Sequence, residues 1–341
     1  MRVFLGMSGG VDSSVSAYLL KQQGHEVIGI YMKNWTKSLP GFECPWRDDL
    51  LDAKRVAVQL GIDFRIYDFQ KEYKKKVVDY LIDSYKSGLT PNPDIMCNQD
   101  IKFGLFADTA FSDGAEAIAT GHYARTKDGR LYTAKDKTKD QTYFLYRVGG
   151  DVLSRTLFHL GDYTKEEVRQ IAEKQKLATA SKSESMGICF VGKVDIKEFL
   201  KQYIKTKPGK IISNGKEVGK HEGAIFYTIG QRQGLDIGGG LPYYVCGKDV
   251  GKNEVYVTRD IDHKDLWAEG VKLTSTHWIN TKPNSGEYLV RSRHLGKLVK
   301  ANYSNNTLKF KTPLRALAPG QSAVMYRGDE VVGGGIISQA I

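Results

Sequence analysis

At 341 residues and 41% hydrophobic content, the chain can bury two or three separate cores. No apolar run approaches the roughly 18 residues a membrane span needs, which excludes a spanning helix and a membrane partner. A net charge of +11 points to a polyanionic partner, and four scattered cysteines without a C-x-x-C pair argue against a zinc ribbon and for a reduced, cytoplasmic setting.

The chain enters a strand at once, which predicts no signal peptide. Arg2-Val3-Phe4-Leu5-Gly6-Met7 is apolar, β-rich and ended by small residues, and reads as a short buried strand. Asp12 to Gln23 reads as a helix, with Val11, Val15, Tyr18, Leu19 and Leu20 at helical spacing and Gly24 as its stop. Ser8-Gly9-Gly10 therefore joins a strand end to a helix N-terminus. Such a turn offers free backbone N–H groups and the positive end of the helix dipole, which suit a phosphate. The glycines admit close approach, and Ser8, Ser13 and Ser14 add hydroxyl donors. No Gly-Lys-Ser/Thr closes the loop, so it is not a Walker motif; Gly6, Gly9 and Gly10 are misspaced for a dinucleotide fingerprint. The stretch resembles instead the Ser-Gly-Gly-x-Asp-Ser pyrophosphate loop of ATP pyrophosphatases. Those enzymes cleave ATP between the α- and β-phosphates and adenylate a carbonyl oxygen. The plain alternative is an ordinary tight strand-to-helix turn.

Glu26 to Met32 is the next expected strand. Asp48 to Leu60 reads as a helix with Leu51, Ala53, Val56, Ala57 and Leu60 inward and Gly61 as its stop. Phe64 to Tyr67 is a strand, Glu72 to Lys86 a helix ended by Gly88, Gln99 to Ser112 another helix, and Ala117 to Ala119 another strand. This alternation implies an α/β class with a doubly wound, mainly parallel sheet and ligands at the carboxyl ends of its strands. Met7, Met32 and Thr120-Gly121-His122 follow strand ends and can share one crevice. Two loops interrupt the rhythm. In Thr90-Pro91-Asn92-Pro93-Asp94-Ile95-Met96-Cys97-Asn98 the prolines forbid helix before Asp94 and place Cys97 just ahead of the next helix, where the dipole lowers a thiol pKa. The second loop, Ser183 to Phe190, carries Cys189 and follows a helix opened by a Thr164/Glu167 capping box. Either cysteine alone also reads as a small buried hydrophobe. Cys246, in the alternating Tyr243-Tyr244-Val245-Cys246, is read as that; Cys44 stays open.

Lys210 to Val218 reads as a hairpin with an Asn-Gly turn, followed by the glycine-rich stretch around Gly238-Gly239-Gly240. Six short strands between Gly270 and Ile337 then imply a small closed or nearly closed barrel. The expected division is 1–198, 199–267 (small, mostly β) and 268–341 (β-barrel). Val271 to Ile341 holds ten Lys/Arg against three Asp/Glu, and Lys197 to Lys220 seven Lys against two Glu. That concentration suits a nucleic-acid footprint; the plain alternative is solubilising surface.

Over nearly its whole length the chain resembles the bacterial tRNA-specific 2-thiouridylases, which install sulfur at C2 of the wobble uridine. The resemblance rests on Gly6-Met7-Ser8-Gly9-Gly10-Val11-Asp12-Ser13, Met32-Lys33-Asn34-Trp35, Asn92-Pro93-Asp94-Ile95-Met96-Cys97-Asn98, Thr120-Gly121-His122-Tyr123, Lys139-Asp140-Gln141-Thr142-Tyr143-Phe144-Leu145, Gly187-Ile188-Cys189-Phe190 and Pro319-Gly320-Gln321-Ser322. It departs at Glu184 and Met186, where the family usually has Asp and a small polar residue. The resemblance implies ATP with Mg²⁺, with Gly6 to Ser13, including Met7, Ser8, Gly9, Gly10, Val11 and Asp12, plus Met32 and Gly121 lining the ATP site, and no permanently bound metal or cluster. It implies that Cys189 takes a persulfide sulfur from a donor protein, a cysteine desulfurase or relay. Cys97 is then the nucleophile near the adenylated base, ending in a transient Cys97–Cys189 disulfide, and Asp94 is the acid/base. Asn92, Pro93 and Asp94 meet the target base. His122, Lys139, Asp140, Gln141, Arg293, His294 and Gln321 join the contacts to tRNA near the anticodon, with the base turned out of its stack. A disulfide tolerates only about 4.4–6.8 Å between Cα atoms, so the loop around Gly187 is expected to move. Two rivals stay open: another pyrophosphate-loop enzyme, an amide-forming ligase or lysidine synthetase, which needs no cysteine pair, and a non-catalytic RNA-binding protein.

Overall fold

The computed structural model describes residues 1–38, 44–183, 196–238 and 240–341. Its first seven strands are β1 (Arg2–Gly6), β2 (Glu26–Lys33), β3 (Asp63–Asp68), β4 (Ala117–Thr120), β5 (Arg125–Lys127), β6 (Arg130–Tyr132) and β7 (Thr156–Leu157). Five of them form a parallel sheet in the order β3-β2-β1-β4-β7. β1 and β4 are continuous apolar runs because both faces are covered; Val3, Phe4, Leu5, Ile118 and Ala119 have no accessible surface. The chain winds outward from β1 to β3 and then returns to the far side of β1 as β4. The strand order therefore reverses between the carboxyl ends of β1 and β4, the place where such sheets open a ligand crevice.

Two sequence expectations need correction. In the helix Trp46–Leu60, Ala53, Val56 and Ala57 are buried, but Leu51 is 50% exposed and Leu60 only half-buried. Leu50, not Leu51, completes the inward stripe and packs against the Val3–Leu5–Val56 cluster. The helix expected from Gln99 begins six residues earlier, at Pro93, and runs through a π-helical stretch, Cys97–Leu105, into Phe106–Ser112. Proline is tolerated as a first helical residue because its missing N–H has no partner to lose there. The pre-proline restriction falls on Asn92, which is extended (φ −115°, ψ 99°) and caps the helix through Asp94 N and Ile95 N. Cys97 is thus about one turn inside a helical run and 3% exposed, not at the dipole end.

The second half follows its local signals. β8 (Gly209–Ser213) and β9 (Lys216–His221) form the Asn-Gly hairpin, with φ +48° at Asn214 and +75° at Gly215 as a type I′ turn requires. With β10 (Tyr244–Asp249) and β11 (Glu254–Thr258) they make a four-stranded sheet. β12 (Trp267–Trp278), β13 (Gly286–Arg291), β14 (Val299–Ser304), β15 (Thr307–Arg315), β16 (Ser322–Arg327) and β17 (Glu330–Ala340) close into a six-stranded antiparallel barrel through β12–β17 pairing. The start of β17 also pairs with β6, so the barrel continues into the β5–β6 hairpin of the first region. One apolar core accordingly runs from Phe4 and Ile118 under the sheet to Val324, Tyr326 and Val331 on the barrel. This is the expected α/β architecture with a small β module and a terminal barrel. No described helix is long and apolar enough to cross a membrane.

Candidate active site at the sheet switch point

The Ser8–Ser13 turn leaves β1 at the switch point. Met7 N still donates to Ile30 O (2.8 Å), so the turn starts from a strand anchored to its neighbour. Gly9 has φ +74°, and a Cβ there would collide with the Asp49 carbonyl; only glycine fits. Gly10 caps the helix Val11–Gln22 with no side chain in the way. Its carbonyl accepts from Ser14 N (3.2 Å), Ser13 Oγ (3.1 Å) and Ser14 Oγ (2.9 Å), while Ser13 Oγ also accepts from Ser8 N (3.2 Å). Ser14, read as a donor to an anion, is fully buried and receives a bond from Thr179 Oγ1 (2.8 Å). It stiffens the turn instead.

The neighbouring strand ends close around this turn. A Cβ on Gly121, just after β4, would stand 2.8 Å from Ser13 N, and one on Gly6 would stand 2.9 Å from Met32 Cε. Met7 is 1% exposed whereas Ser8 is exposed, so the turn presents its backbone together with Ser8. Asp12 is held by Lys165 Nζ (2.7 and 2.9 Å) and by Tyr123 OH (2.9 Å). Lys165 is the first residue of the helix Lys165–Lys174, whose Thr164/Glu167 capping box has both bonds formed. The capping box was legible in sequence; that its next residue reaches Asp12 was not. What results is a glycine-lined, amide-rich seat flanked by a cation and a carboxylate, a geometry for a polyphosphate.

A second group of residues adjoins it. His122 follows Gly121 and is 8% exposed. Its Nδ1 lies 2.7 Å from Thr120 Oγ1 and its Nε2 3.4 Å from Lys102 Nζ. An ammonium can only donate, so Nε2 accepts, Nδ1–H donates to Thr120, and the ring is neutral. Burial and the Lys102 charge both hold its pKa well below the usual histidine value. Burial pushes the Asp94 carboxyl up, and the nearby Lys102 charge opposes that rise. Lys102 thus lies beside His122, and its charge is also felt at Asp94. It lies on the same helical run as Cys97, in a stretch that reads as plain helix surface, so no sequence signal marked it.

The remaining expected residues gather where the sheet meets the barrel. Asp140 has no accessible surface; it accepts from Ala134 N (3.2 Å), Thr142 Oγ1 (3.0 Å) and Arg291 Nη1 (2.8 Å). Gln141 accepts from Tyr123 N (2.9 Å), and Lys139 is half-buried beside it. Tyr143 OH donates to Ser322 O at the start of β16 (2.9 Å). Arg293 and His294 sit in the β13–β14 turn rather than in a strand; Arg293 is exposed and His294 stacks on Phe144 at 4.3 Å. Phe144 O in turn accepts from Asn98 Nδ2 (3.3 Å), next to Cys97. Gln321 Nε2 donates to Thr90 O (3.0 Å). The expectations placed on Cys189 and the loop around Gly187 lie outside the described residues. Among the described residues no group of three or more His, Cys, Asp or Glu is placed to hold a metal ion.

Asp140 and Arg291 form an enclosed ion pair, so removing one partner strands the other charge. Asp140→Ala is expected to lower unfolding free energy by about 3–5 kcal/mol, and an apolar double replacement by much less. Urea unfolding measures it. A stability loss near zero would mean that the pair is not enclosed.

Comparison with known proteins agrees with this arrangement. The chain matches family profiles described as a tRNA methyl transferase HUP domain over residues 1–193, a tRNA methyl transferase PRC-barrel domain over 197–259 and an aminomethyltransferase beta-barrel domain over 268–337. It is 46% identical to the tRNA-specific 2-thiouridylase MnmA of Chromobacterium violaceum, across 98% of this chain and 92% of that protein. It is 45% identical to the protein of the same name from Shouchella clausii, across 99% and 96%, and 43% identical to tRNA-specific 2-thiouridylase MnmA 2 of Aliarcobacter butzleri, across 99% and 98%. Identity at this level from end to end covers the turn at the switch point, the Asn92-capped helix and the barrel together, and it makes this chain a member of the tRNA-specific 2-thiouridylase family of enzymes.

Proposed function

We propose that the protein thiolates the wobble uridine of tRNA at C2, using MgATP as a substrate and a cysteine persulfide as sulfur source. The observation that carries this reading is a path of neighbouring residues. The Ser8–Ser13 turn packs on Gly121, His122 follows it, Lys102 Nζ is 3.4 Å from His122 Nε2, and the Lys102 charge is felt at Asp94, three residues before Cys97. That path links the turn to the Asp94–Cys97 segment, and this adjacency supports a reading that joins nucleotide and thiol chemistry. The rival amide-forming and non-catalytic readings give no reason for that adjacency.

The uracil C2 oxygen is a poor leaving group. Its attack on the α-phosphate of ATP would form a C2–O–AMP linkage and release diphosphate into the Gly9–Ser13 seat, where backbone amides and Lys165 favour negative charge. Asp94, next to the entering base, would manage the proton of N3 as the ring shifts from carbonyl to adenylate. The terminal persulfide sulfur on Cys189 would then attack C2 and displace AMP, leaving a base–S–S–Cys189 linkage. The Cys97 thiolate would attack the Cys189 sulfur, so the base leaves as 2-thiouridine and the two cysteines are oxidised to a disulfide. A dithiol reductant must reopen it before the next turnover. In this division 1–198 performs the chemistry, while 199–267 and the barrel 268–341 hold tRNA, with Lys139, Arg293 and His294 toward the RNA. The setting is cytoplasmic, and the sulfur donor is a persulfide-carrying protein.

The test is nucleoside mass spectrometry of tRNA after incubation with MgATP and a persulfide donor. The expected result is 2-thiouridine at the wobble position with equal amounts of AMP and diphosphate; ADP and phosphate, or unmodified uridine, would overturn the reading. A smaller effect tests the RNA side. Arg293→Ala should weaken tRNA binding and lower its salt dependence by about one phosphate contact. An unchanged salt slope in the folded variant removes Arg293 from the interface.

A further inference from the structure

The segment that carries Asp94 and Cys97 is held at its N-terminal end by Thr90. The Thr90 amide donates to Pro319 O (2.8 Å), its carbonyl accepts from Gln321 Nε2 (3.0 Å), and its hydroxyl lies 3.1 Å from Thr228 Oγ1. Pro319 and Gln321 lead into β16 of the barrel; Thr228 belongs to the turn before β10, where Thr228 N is itself fixed on Gln231 Oε1 (3.0 Å). Every hydrogen-bonding group of Thr90 is thus engaged by another part of the molecule. Gly320 shapes the seat: at φ +95°, a Cβ there would stand 2.7 Å from Thr90 N and 2.9 Å from its carbonyl carbon. On the other flank, a Cβ on Gly88 would stand 2.8 Å from Val250 in the β10–β11 turn. Between Thr90 and Asp94 the chain has little slack. Pro91 and Pro93 fix their own φ and restrict the residue before each, and Asn92 is committed to capping the helix that starts at Pro93.

We infer that Gln321 and Gly320 are positioning residues which, with Thr228, clamp Thr90, so that the barrel and the four-stranded module set where Asp94 and Cys97 stand. The Gln321 amide nitrogen acts on the loop rather than on the RNA. The inference rests on the roles assigned above to Asp94 and Cys97.

Gln321→Ala, Thr228→Val and Thr228→Ser separate this from a direct RNA contact. The measurements are kcat and KM for tRNA in thiolation, tRNA binding without ATP, and amide exchange of the 88–98 peptide. Gln321→Ala and Thr228→Val should lower kcat about tenfold, because a small misplacement of reacting groups is costly. KM and tRNA affinity should stay within about twofold, since ground-state binding is untouched. Exchange at the Thr90 amide should accelerate, and Thr228→Ser should restore kcat because the hydroxyl returns. Loss of tRNA affinity with kcat intact would make Gln321 an RNA contact and overturn the clamp; so would an unchanged kcat. If the wild type makes no 2-thiouridine, the functional reading fails, and the exchange data then decide the clamp alone: unaltered exchange in both variants overturns it.

Discussion

Cys97→Ser should lower 2-thiouridine formation on the order of 10³-fold or more while leaving persulfide loading of Cys189 intact, because it removes the thiol that breaks the final S–S bond. Cys189→Ser should fail earlier: it should accept no persulfide, yet still form AMP-linked tRNA. Neither Cys44→Ser nor Cys246→Ser should cost more than modest packing. The Cys44 thiol donates to Trp35 O (3.7 Å), Cys246 lies at the bulge of β10, and burial pushes both thiols up, away from the reactive thiolate. Wild-type protein should also stop after one turnover without reductant. Peptide mapping at that point is the decisive measurement. A Cys97–Cys189 crosslinked peptide fits the scheme; two thiols recovered beside formed product would reject it.

Asp12→Ala should reduce ATP consumption about 10²–10³-fold, the scale on which one preorganised charge contact at a reacting phosphate is felt. The carboxylate does more than face solvent. It holds Lys165, 13% exposed in its side chain, and Tyr123, which in turn bonds Gln141. Without Asp12 the Lys165 ammonium loses its orientation beside the turn. Gly9→Ala should have an equal or greater effect, since the Asp49 carbonyl leaves no room for a Cβ and φ is +74°. Ser13→Ala is a poorer probe: Ser13 is 3% exposed and bonds Ser8 N and Gly10 O, so its loss loosens the turn itself. Tritium-labelled ATP binding and AMP release, measured with circular dichroism as a folding check, separate the cases. Unchanged AMP release by a folded Gly9→Ala protein would mean the turn does not seat the diphosphate.

The parts of this protein that depend on neighbours in the chain were legible from residues alone. The Ser-Gly-Gly turn, the Asn-Gly hairpin and the Thr164/Glu167 capping box each satisfy backbone geometry within a few residues, so composition and spacing determine them. The alternation of apolar strands and amphipathic helices determined the parallel sheet for the same reason, and six short alternating strands determined the barrel. Leu51 was misread because two adjacent leucines satisfy a helical stripe almost equally, and only the sheet beneath selects Leu50. The start of the helix at Pro93 was misread because two prolines read as a break, whereas a proline in first position costs no hydrogen bond once Asn92 supplies the cap.

What only the tertiary structure decided is which polar and charged groups are neighbours. Asp12 meets Lys165 across 153 positions, Asp140 meets Arg291 across 151, and Thr90 meets Gln321 across 231. The energy of such pairs depends on burial and on a few tenths of an ångström, neither of which is written in local periodicity. The sequence by itself determined the family, since the Ser8–Ser13 turn and the Asp94/Cys97 segment are contiguous motifs. The fold alone decided that Lys102 lies beside His122, and that the barrel holds the segment at Thr90, because those contacts exist only once the helices and strands have closed around one core.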